Sequence, residues 1–193
     1  ILDALKYIKS SFKNDQKCIV GVIGYPEGFH DNICIIDDRN LTPEESSRAG
    51  YNTNNKIQVC PDAEFNDDLN SLKMLQNSGA DYIQSQIFYD VSVFLQFCII
   101  ARKNNISIPI IPSIMPIKSS HAFTSITSIC KTRIPIGIQK AIEAHKKNDT
   151  MCAYYGQRLA ISTCKALLLR GIQHIHYYST NDISSCVDII QPL

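Results

Sequence analysis

Four segments of the chain have the apolar, β-branched composition of buried strands, and segments with helical spacing of apolar residues lie between them. The strand-like segments are residues 18–25, 81–89, 106–117 and 172–180. In the third segment, Pro109, Pro112 and Pro116 limit regular pairing. Because strands that alternate with helices pair in parallel through crossover connections, the order predicts an α/β fold with a parallel sheet.

Helical periodicity is clear in most of the intervening segments. The predicted helices cover residues 1–12, 65–78, 91–103, 120–130, a segment that opens at Pro135, residues 149–170, and a short segment from Asp182. The periodicity is lost between Asp31 and Glu64, where Asn, Asp, Ser and Thr are frequent. Loops of this length are uncommon inside compact domains, so residues 31–64 are predicted to be an insertion loop.

Two α/β architectures are compatible with four strands. The sequence has neither a G-x-G-x-x-G motif nor a P-loop, which argues against a nucleotide-binding doubly wound fold. A (β/α)8 barrel closes with eight strands, so four strands would supply only half of it. The pattern therefore indicates either a flavodoxin-like four-stranded sheet or half of a barrel.

Composition excludes several classes of partner. The 193 residues suffice for one domain, and 19 Lys and Arg against 18 Asp and Glu give a formal net charge of +1. This balance gives no reason to expect nucleic acid or an anionic membrane as a partner, and the apolar runs are too short to span a bilayer. The eight cysteines form no C-x-x-C pair and are interpreted as free thiols in a reducing compartment.

Polar side chains follow or interrupt the predicted strands near their carboxyl ends, where α/β folds bind ligands. Tyr25 ends the first strand, while Gln84 and Gln86 lie on one face of the second. His176 and Tyr178 share a face of the fourth strand. Buried amides need hydrogen-bond partners, which either a polar ligand or the backbone and bound water would supply.

A metal site is the alternative interpretation of the fourth strand. His174 and His176 are alternate residues, as in barrel hydrolases that bind a metal through a His-x-His pair. Zinc needs at least one further ligand, and the remaining histidines are His30, His121 and His145. We favour an interior histidine with ordinary hydrogen-bond partners over this metal site.

Four stretches, taken together and in order, resemble the methylenetetrahydrofolate reductase family. They are G-Y-P-E-G at 24–28, D-L-x-x-L-K at 68–73 running into S-G-A-D-Y-I-Q-S-Q-I-F-Y-D at 78–90, I-I-P-S-I-M-P-I at 110–117, and H-Y-Y-S-T-N at 176–181. The resemblance covers residues 19–181 apart from 31–64.

The resemblance implies that the four strands are strands five to eight of a (β/α)8 barrel. It also implies FAD as cofactor, NAD(P)H as hydride donor and a folate as substrate, with reduction of 5,10-methylenetetrahydrofolate to 5-methyltetrahydrofolate as the reaction. A cytoplasmic location and a homo-oligomeric full-length protein are further expectations. Because the sequence begins at Ile1 rather than Met, we expect it to be part of a longer chain.

Six residues receive roles from the resemblance alone. Tyr25, His30 and Asp68 match the family's FAD contacts, although His30 is displaced by one position from the family's G-H-P histidine. The predicted contacts to the folate are Gln86, Ile126 and Tyr178. No residue is predicted to be catalytic, since the family's catalytic glutamate and flavin-tuning aspartate belong to barrel strands that this sequence does not contain.

The sequence departs from the family at three positions. Leu75 replaces a lysine near the FAD phosphates, Ser113 replaces a glycine, and Asp182 replaces an arginine after the last strand. These departures motivate an alternative, a catalytically inactive half-barrel that binds folate or a partner protein. Four strands alone would also leave two unpaired sheet edges, so the isolated chain is predicted to be oligomeric or poorly soluble.

Overall fold

A computed structural model describes residues 2–12, 18–36, 40–51 and 56–193, and Ile1 of the first predicted helix lies outside these ranges. In chain order the elements are α1 (Leu2–Ser11), β1 (Gly21–Gly24), β2 (Cys34–Ile36), α2 (Pro43–Arg48), β3 (Gly50–Tyr51), β4 (Ile57–Val59), α3 (Asp62–Asn77), β5 (Tyr82–Ile87), α4 (Val91–Lys103), β6 (Ile110–Ile114), α5 (Ser120–Cys130), α6 (Ile136–Ala144), α7 (Asp149–Leu168), β7 (His176–Tyr177) and α8 (Ile183–Ile190).

The four predicted strands form one parallel sheet in the order β1-β5-β6-β7. Gly21 pairs with Tyr82, Ile83 with Ile110, and Ser113 with His176. The predicted α/β class with a parallel sheet and crossover helices is therefore confirmed. The register shifts between Gln84 and Ile87, where an irregularity interrupts the pairing of β5 with β6.

The main core lies between one face of this sheet and the helices that cover it. Its fully buried side chains include Ile83 of β5, Phe94 and Phe97 of α4, and Leu167 of α7. Phe88 stacks on Phe94 with ring centroids 4.8 Å apart. Burial of these large side chains removes apolar surface from water, and this hydrophobic effect is what mainly holds the helices on the sheet.

Two strand predictions need correction. The sequence predicts a buried first strand, but Ile19 is 72% exposed and Ile23 is 40% exposed. Ile23 pairs with Gln84 and lies on the sheet face that the helices do not cover, and β1 is an edge strand of the sheet among the described residues. The predicted fourth strand covers residues 172–180, yet only His176 and Tyr177 pair with β6.

The segment 31–64 contains regular structure that periodicity does not predict. Strands β2, β4 and β3 form a separate antiparallel sheet in that order, and α2 lies between β2 and β3. Helix α3 also begins within the segment, at Asp62 rather than at Phe65. The insertion itself stays a prediction, but its description as a loop is incomplete.

Within the described ranges, no helix combines the length and apolar character needed to cross a membrane. All eight cysteines are unpaired thiols in the structure.

Candidate functional site

Amide and phenol side chains lie on the face of the parallel sheet that the helices leave open. Along β5, Ile83, Ser85 and Ile87 are buried, whereas Gln84 and Gln86 on the opposite face are half-buried. The Nε2 of Gln84 donates a hydrogen bond to the Tyr178 hydroxyl at 3.2 Å. The alternation predicted from the sequence therefore places both amides on one side of the sheet, and Tyr178 joins one of them.

The Gln86 amide is partly engaged by its own strand. Its Oε1 accepts a hydrogen bond from the backbone N–H of Ile87 at 3.0 Å. This bond lies at the irregularity in the pairing of β5 with β6. Because the amide oxygen is used locally, the NH2 group of Gln86 is the part of the side chain that a ligand would meet.

His176 is held on the same face by Ser113. The Nδ1 of His176 lies 3.2 Å from the Ser113 hydroxyl, and its ring packs edge-on against Tyr178 at 4.7 Å. Burial lowers the pKa of His176 below its ordinary value, because a charged imidazolium loses hydration there. Ser113, which stands where the resembling family has glycine, thus supplies a hydrogen-bond partner for this histidine.

The metal site suggested for the fourth strand is not assembled. His174 is exposed, whereas His176 is half-buried beside Ser113. Among the described residues, no three or more His, Cys, Asp and Glu side chains are grouped so that they could hold a metal ion.

Tyr25, Phe29 and Asp68 meet at the carboxyl end of β1. The Asp68 carboxylate accepts a hydrogen bond from the Phe29 backbone N–H at 2.8 Å, and the Tyr25 and Phe29 rings lie 5.0 Å apart. Burial raises the pKa of Tyr25, and the nearby Asp68 and Tyr178 raise it further. The structure therefore groups Tyr25 and Asp68, two of the predicted FAD contacts, around Phe29.

His30 lies at the rim of this group. Its ring is 4.4 Å from the Phe29 ring, and its Nε2 is 3.5 Å from an Asp31 carboxylate oxygen. Ile126 is half-buried on α5, whose first turn is capped by the Ser119 hydroxyl.

Glu27 is a buried carboxyl group that the sequence reasoning missed. It is 5% exposed, and one of its oxygens accepts a hydrogen bond from the Arg133 backbone N–H at 3.1 Å. Burial is the main cause that raises its pKa to about 8; the hydrogen bond from Arg133 opposes this rise and the charge of Asp90 adds to it. The Arg133 side chain pairs with Asp90 at 3.2 Å. The sequence signal that was available is the position of Glu27 two residues after the end of the predicted strand 18–25.

Two of the three departures from the family have clear structural surroundings. Asp182 caps α8 by accepting a hydrogen bond from the Ser185 backbone N–H, and it pairs with Lys118 at 3.1 Å. Hydrogen bonds from Ser184, Ser185 and Lys118 hold the pKa of Asp182 far below its usual range. The negative charge of Asp182 is thus paired with Lys118 of the same chain. Leu75 is half-buried on α3.

A cleft of about 260 Å³ lies elsewhere, between the loop after β6 and helices α7 and α8. Its lining includes Lys118, Tyr154 and Gln157, but none of the six predicted site residues. We place the candidate site on the open sheet face rather than in this cleft, because the predicted polar groups converge on the sheet.

A parallel sheet with amide and phenol side chains at the carboxyl ends of its strands defines an α/β fold of the class in which small molecules bind at that edge of the sheet. The family model for methylenetetrahydrofolate reductase matches residues 1–193. The chain belongs to the methylenetetrahydrofolate reductase family.

Named relatives match over most or all of the chain. It is 34% identical over 192 residues to methylenetetrahydrofolate reductase (NADH) 1 of Arabidopsis thaliana, covering 100% of this chain and 28% of that protein. It is 30% identical over 180 residues to methylenetetrahydrofolate reductase 2 of Saccharomyces cerevisiae, covering 93% of this chain and 25% of the relative. The chain therefore spans about a quarter of the length of these relatives.

One solved structure is similar in outline only. It is an uncharacterized protein from Clostridium thermocellum that binds two copies of 5-methyl-5,6,7,8-tetrahydrofolic acid. The similarity has a TM-score of 0.49 and 15% identity, and covers 98% of this chain and 56% of that one. A similarity this low has no bearing on function.

Proposed function

We propose that this chain forms the second half of the (β/α)8 barrel of an FAD-dependent reductase. The reaction is the reduction of 5,10-methylenetetrahydrofolate to 5-methyltetrahydrofolate with NAD(P)H, carried out by a longer chain. The observation that supports the proposal is the similarity of the whole of this chain, at 34% identity, to a relative whose name states this reaction.

The strand order supports a barrel over a doubly wound sheet. In the sheet, β1, β5, β6 and β7 are neighbours in the same order as in the chain. A barrel requires this order, whereas a doubly wound sheet reverses direction at a switch point. The exposed side chains of Ile19 and Ile23 on and beside β1 also fit a strand that pairs with a preceding one.

The folate would bind against the open face of the sheet. Gln86 presents its NH2 group there, and Tyr178 presents its phenol from the end of β7. A pterin ring carries hydrogen-bond donors and acceptors along its edge, so amides and phenols suit it. Burial lowers the pKa of the half-buried His176, which favours the uncharged form of this side chain on the open face.

The residues at the end of β1 fit part of a flavin dinucleotide. Tyr25 and Phe29 offer aromatic surface, and Asp68 is a half-buried carboxylate that can accept hydrogen bonds from sugar hydroxyls. His30 at the rim would complete this group. FAD, when bound, supplies the hydride-transfer chemistry, and the residues of this chain bind and orient its partners.

The proposal is tested with the full-length protein that contains this chain. Purified protein, 5,10-methylenetetrahydrofolate and NADH or NADPH are incubated without oxygen, and 5-methyltetrahydrofolate is measured by mass spectrometry. We expect the methyl product to form in proportion to nicotinamide oxidised. Folate binding without any product would favour the inactive half-barrel instead, and a lack of both folate binding and product would reject both proposals.

Two wider expectations rest on the family resemblance alone, namely a cytoplasmic location and a homo-oligomeric full-length protein. Fractionation of cells and light scattering of the purified protein test them separately.

A further inference from the structure

Gln84 and Tyr178 form a hydrogen-bonded pair that reaches across the sheet. Gln84 lies on β5 and Tyr178 follows β7, with β6 between these two strands. Strands two positions apart in a sheet are separated by about 10 Å, so only long side chains can meet over the middle strand. The Nε2 of Gln84 and the hydroxyl oxygen of Tyr178 do so at 3.2 Å.

The direction of this bond determines what the pair offers to a ligand. The Gln84 amide donates, so the Tyr178 oxygen accepts and the phenol hydrogen is left for another partner. The Oε1 of Gln84 is likewise left as an acceptor. Among the residues that the structure describes, neither the phenol hydrogen nor this oxygen has a second partner, and both side chains are half-buried.

We propose that Gln84 and Tyr178 together form a subsite for an amide edge of the ligand, in which an N–H lies next to a C=O. The Tyr178 O–H donates to the ligand carbonyl, and the Gln84 oxygen accepts from the ligand N–H. Gln84 is also a positioning residue, since its NH2 group keeps the phenol hydrogen directed away from the protein. This inference rests on the proposed function and adds Gln84 to the residues predicted for the site.

The surroundings support a shared, oriented subsite. His176 packs edge-on against the Tyr178 ring at 4.7 Å and is itself fixed by Ser113, so the phenol has little freedom to turn. An amide edge occurs in the pterin of folates, in the flavin ring and in the carboxamide of nicotinamide, so the test must separate these sources.

The first test measures dissociation constants of the full-length protein for 5-methyltetrahydrofolate and for NAD+, and its retention of flavin. The variants are Gln84→Leu, Tyr178→Phe and the double variant. We expect each single variant to raise the dissociation constant for one of these ligands about tenfold, which corresponds to the loss of one or two hydrogen bonds. The ligand whose affinity falls identifies the source of the amide edge.

The double variant shows whether the two residues act as a unit. If they do, its affinity is within about threefold of either single variant, whereas independent contacts would multiply to about a hundredfold loss. Multiplying losses, or unchanged binding of all three ligands by Gln84→Leu, would overturn the subsite. If the unmodified protein binds neither folate nor nicotinamide, the proposed function fails, and this inference fails with it.

A variant of equal size separates recognition from a purely structural role. In Gln84→Glu, the protonated carboxyl can donate to Tyr178 as the amide does, whereas the ionised carboxylate takes the phenol hydrogen for itself. We expect ligand affinity close to that of the unmodified protein at low pH and a progressive loss as pH rises. The matched control is Gln157→Glu on α7, where the amide donates to the Asp188 carbonyl at 3.4 Å. A pH dependence identical in both variants would contradict the inference.

Discussion

At the scale of a single residue, Glu27 is a carboxyl group held in a place that disfavours its charge. It is 5% exposed, and burial raises its pKa to about 8. The folded protein therefore keeps the Glu27 proton up to about pH 8, while the unfolded chain releases it near the ordinary value of 4.5. A raised pKa in the folded state means that stability is greatest below the ordinary pKa and declines as pH rises through this window.

We predict that Glu27→Gln reduces this pH dependence. For the unmodified full-length protein, the Glu27 contribution to the free energy of unfolding should fall between about pH 5 and pH 8, by up to about 1.4 kcal/mol per pH unit. The glutamine cannot ionise and still accepts from the Arg133 N–H. Denaturant unfolding at several pH values should show that the free energy of unfolding of Glu27→Gln changes less with pH than that of the unmodified protein. The control variant Glu143→Gln, at an exposed position, should keep the pH dependence of the unmodified protein. The same dependence of the free energy of unfolding on pH in all three proteins would contradict the raised pKa of Glu27.

Side chains on one strand face could be predicted from the sequence, and Glu27 could not. Alternation alone places Gln84 and Gln86 together, because the pleat of a strand fixes which side chains share a face. The environment of Glu27 depends on Arg133, which is 106 positions away in the chain. No local pattern reports a contact of that kind, and the same holds for the bond from Gln84 to Tyr178.

At the scale of the element, α7 lies unusually close to the loop that follows β6. A Cβ added at Gly156 would lie 2.1 Å from the backbone oxygen of Ile117, a distance that requires the helix or the loop to move. Only glycine lets the two backbones approach this closely. Gly137 on α6 is its natural counterpart, because a Cβ there meets nothing within 4 Å.

The two glycines should therefore respond in opposite directions to alanine. We predict that Gly156→Ala lowers the free energy of unfolding by at least about 2 kcal/mol through overpacking. Gly137→Ala should raise it by up to about 1 kcal/mol, because alanine is the better helix former. Chemical denaturation of both variants checks the pair. A neutral Gly156→Ala would mean that α7 does not make this close approach.

The small unit formed by α2 and the strands β2–β4 is joined to α3 through Arg48. Its guanidinium donates to the Cys60 carbonyl at 2.8 Å, pairs with Asp62 at 2.5 Å and lies 4.4 Å from the centre of the Phe65 ring. The Arg48 side chain is 3% exposed, so these partners, rather than water, stabilise its positive charge. Two side chains further along the chain also donate to carbonyls in or next to this unit: Lys131 donates to Ile33, directly before β2, and Arg133 donates to Ser47 of α2.

We predict that Arg48→Ala destabilises this unit by about 3 kcal/mol, because the pair, a backbone bond and the ring contact are lost together. Hydrogen exchange should show faster exchange in residues 43–51 and 57–59, with little change in β5 and β6. Arg158→Ala on the exposed face of α7 is the control and should change stability by less than about 0.5 kcal/mol. Uniform loss of protection across the chain would instead make Arg48 part of the main core.

Elements with strong periodicity can be predicted from the sequence, and those in residues 31–64 cannot. Helices α3, α4 and α7 have apolar residues at helical spacing over 13 or more residues, which is enough for a clear signal. Strands β2 and β4 have three residues each and β3 has two, and helix α2 has six. Segments this short are specified by pairing, capping and contacts such as those of Arg48 rather than by a periodic pattern.

At the scale of the whole molecule, β1 presents an unpaired edge in the described sheet. Ile19 and Ile23 are exposed there, and Tyr7 of α1 and Phe12 just after this helix are exposed as well. Unpaired edges with apolar side chains favour association between chains. In the proposed barrel, the preceding strand and its helix would cover this region.

We therefore predict that the 193 residues on their own form oligomers or aggregate, whereas the full-length protein does not do so through this edge. Sedimentation velocity at several concentrations checks the isolated chain. The variant Ile23→Lys, which places a charge on the edge, should shift the isolated chain toward monomer. A sharp, concentration-independent monomer of the unmodified chain would argue against an open edge and against the half-barrel.

One measurement tests most directly the proposal that this chain is part of a flavin-dependent folate reductase. The full-length protein is purified, its flavin is reduced anaerobically with NAD(P)H, and 5,10-methylenetetrahydrofolate is then added while the visible spectrum is recorded. We predict that the folate restores the spectrum of oxidised flavin and is itself converted to 5-methyltetrahydrofolate. A purified protein without flavin, or a reduced flavin that the folate leaves unchanged, would contradict the proposed function.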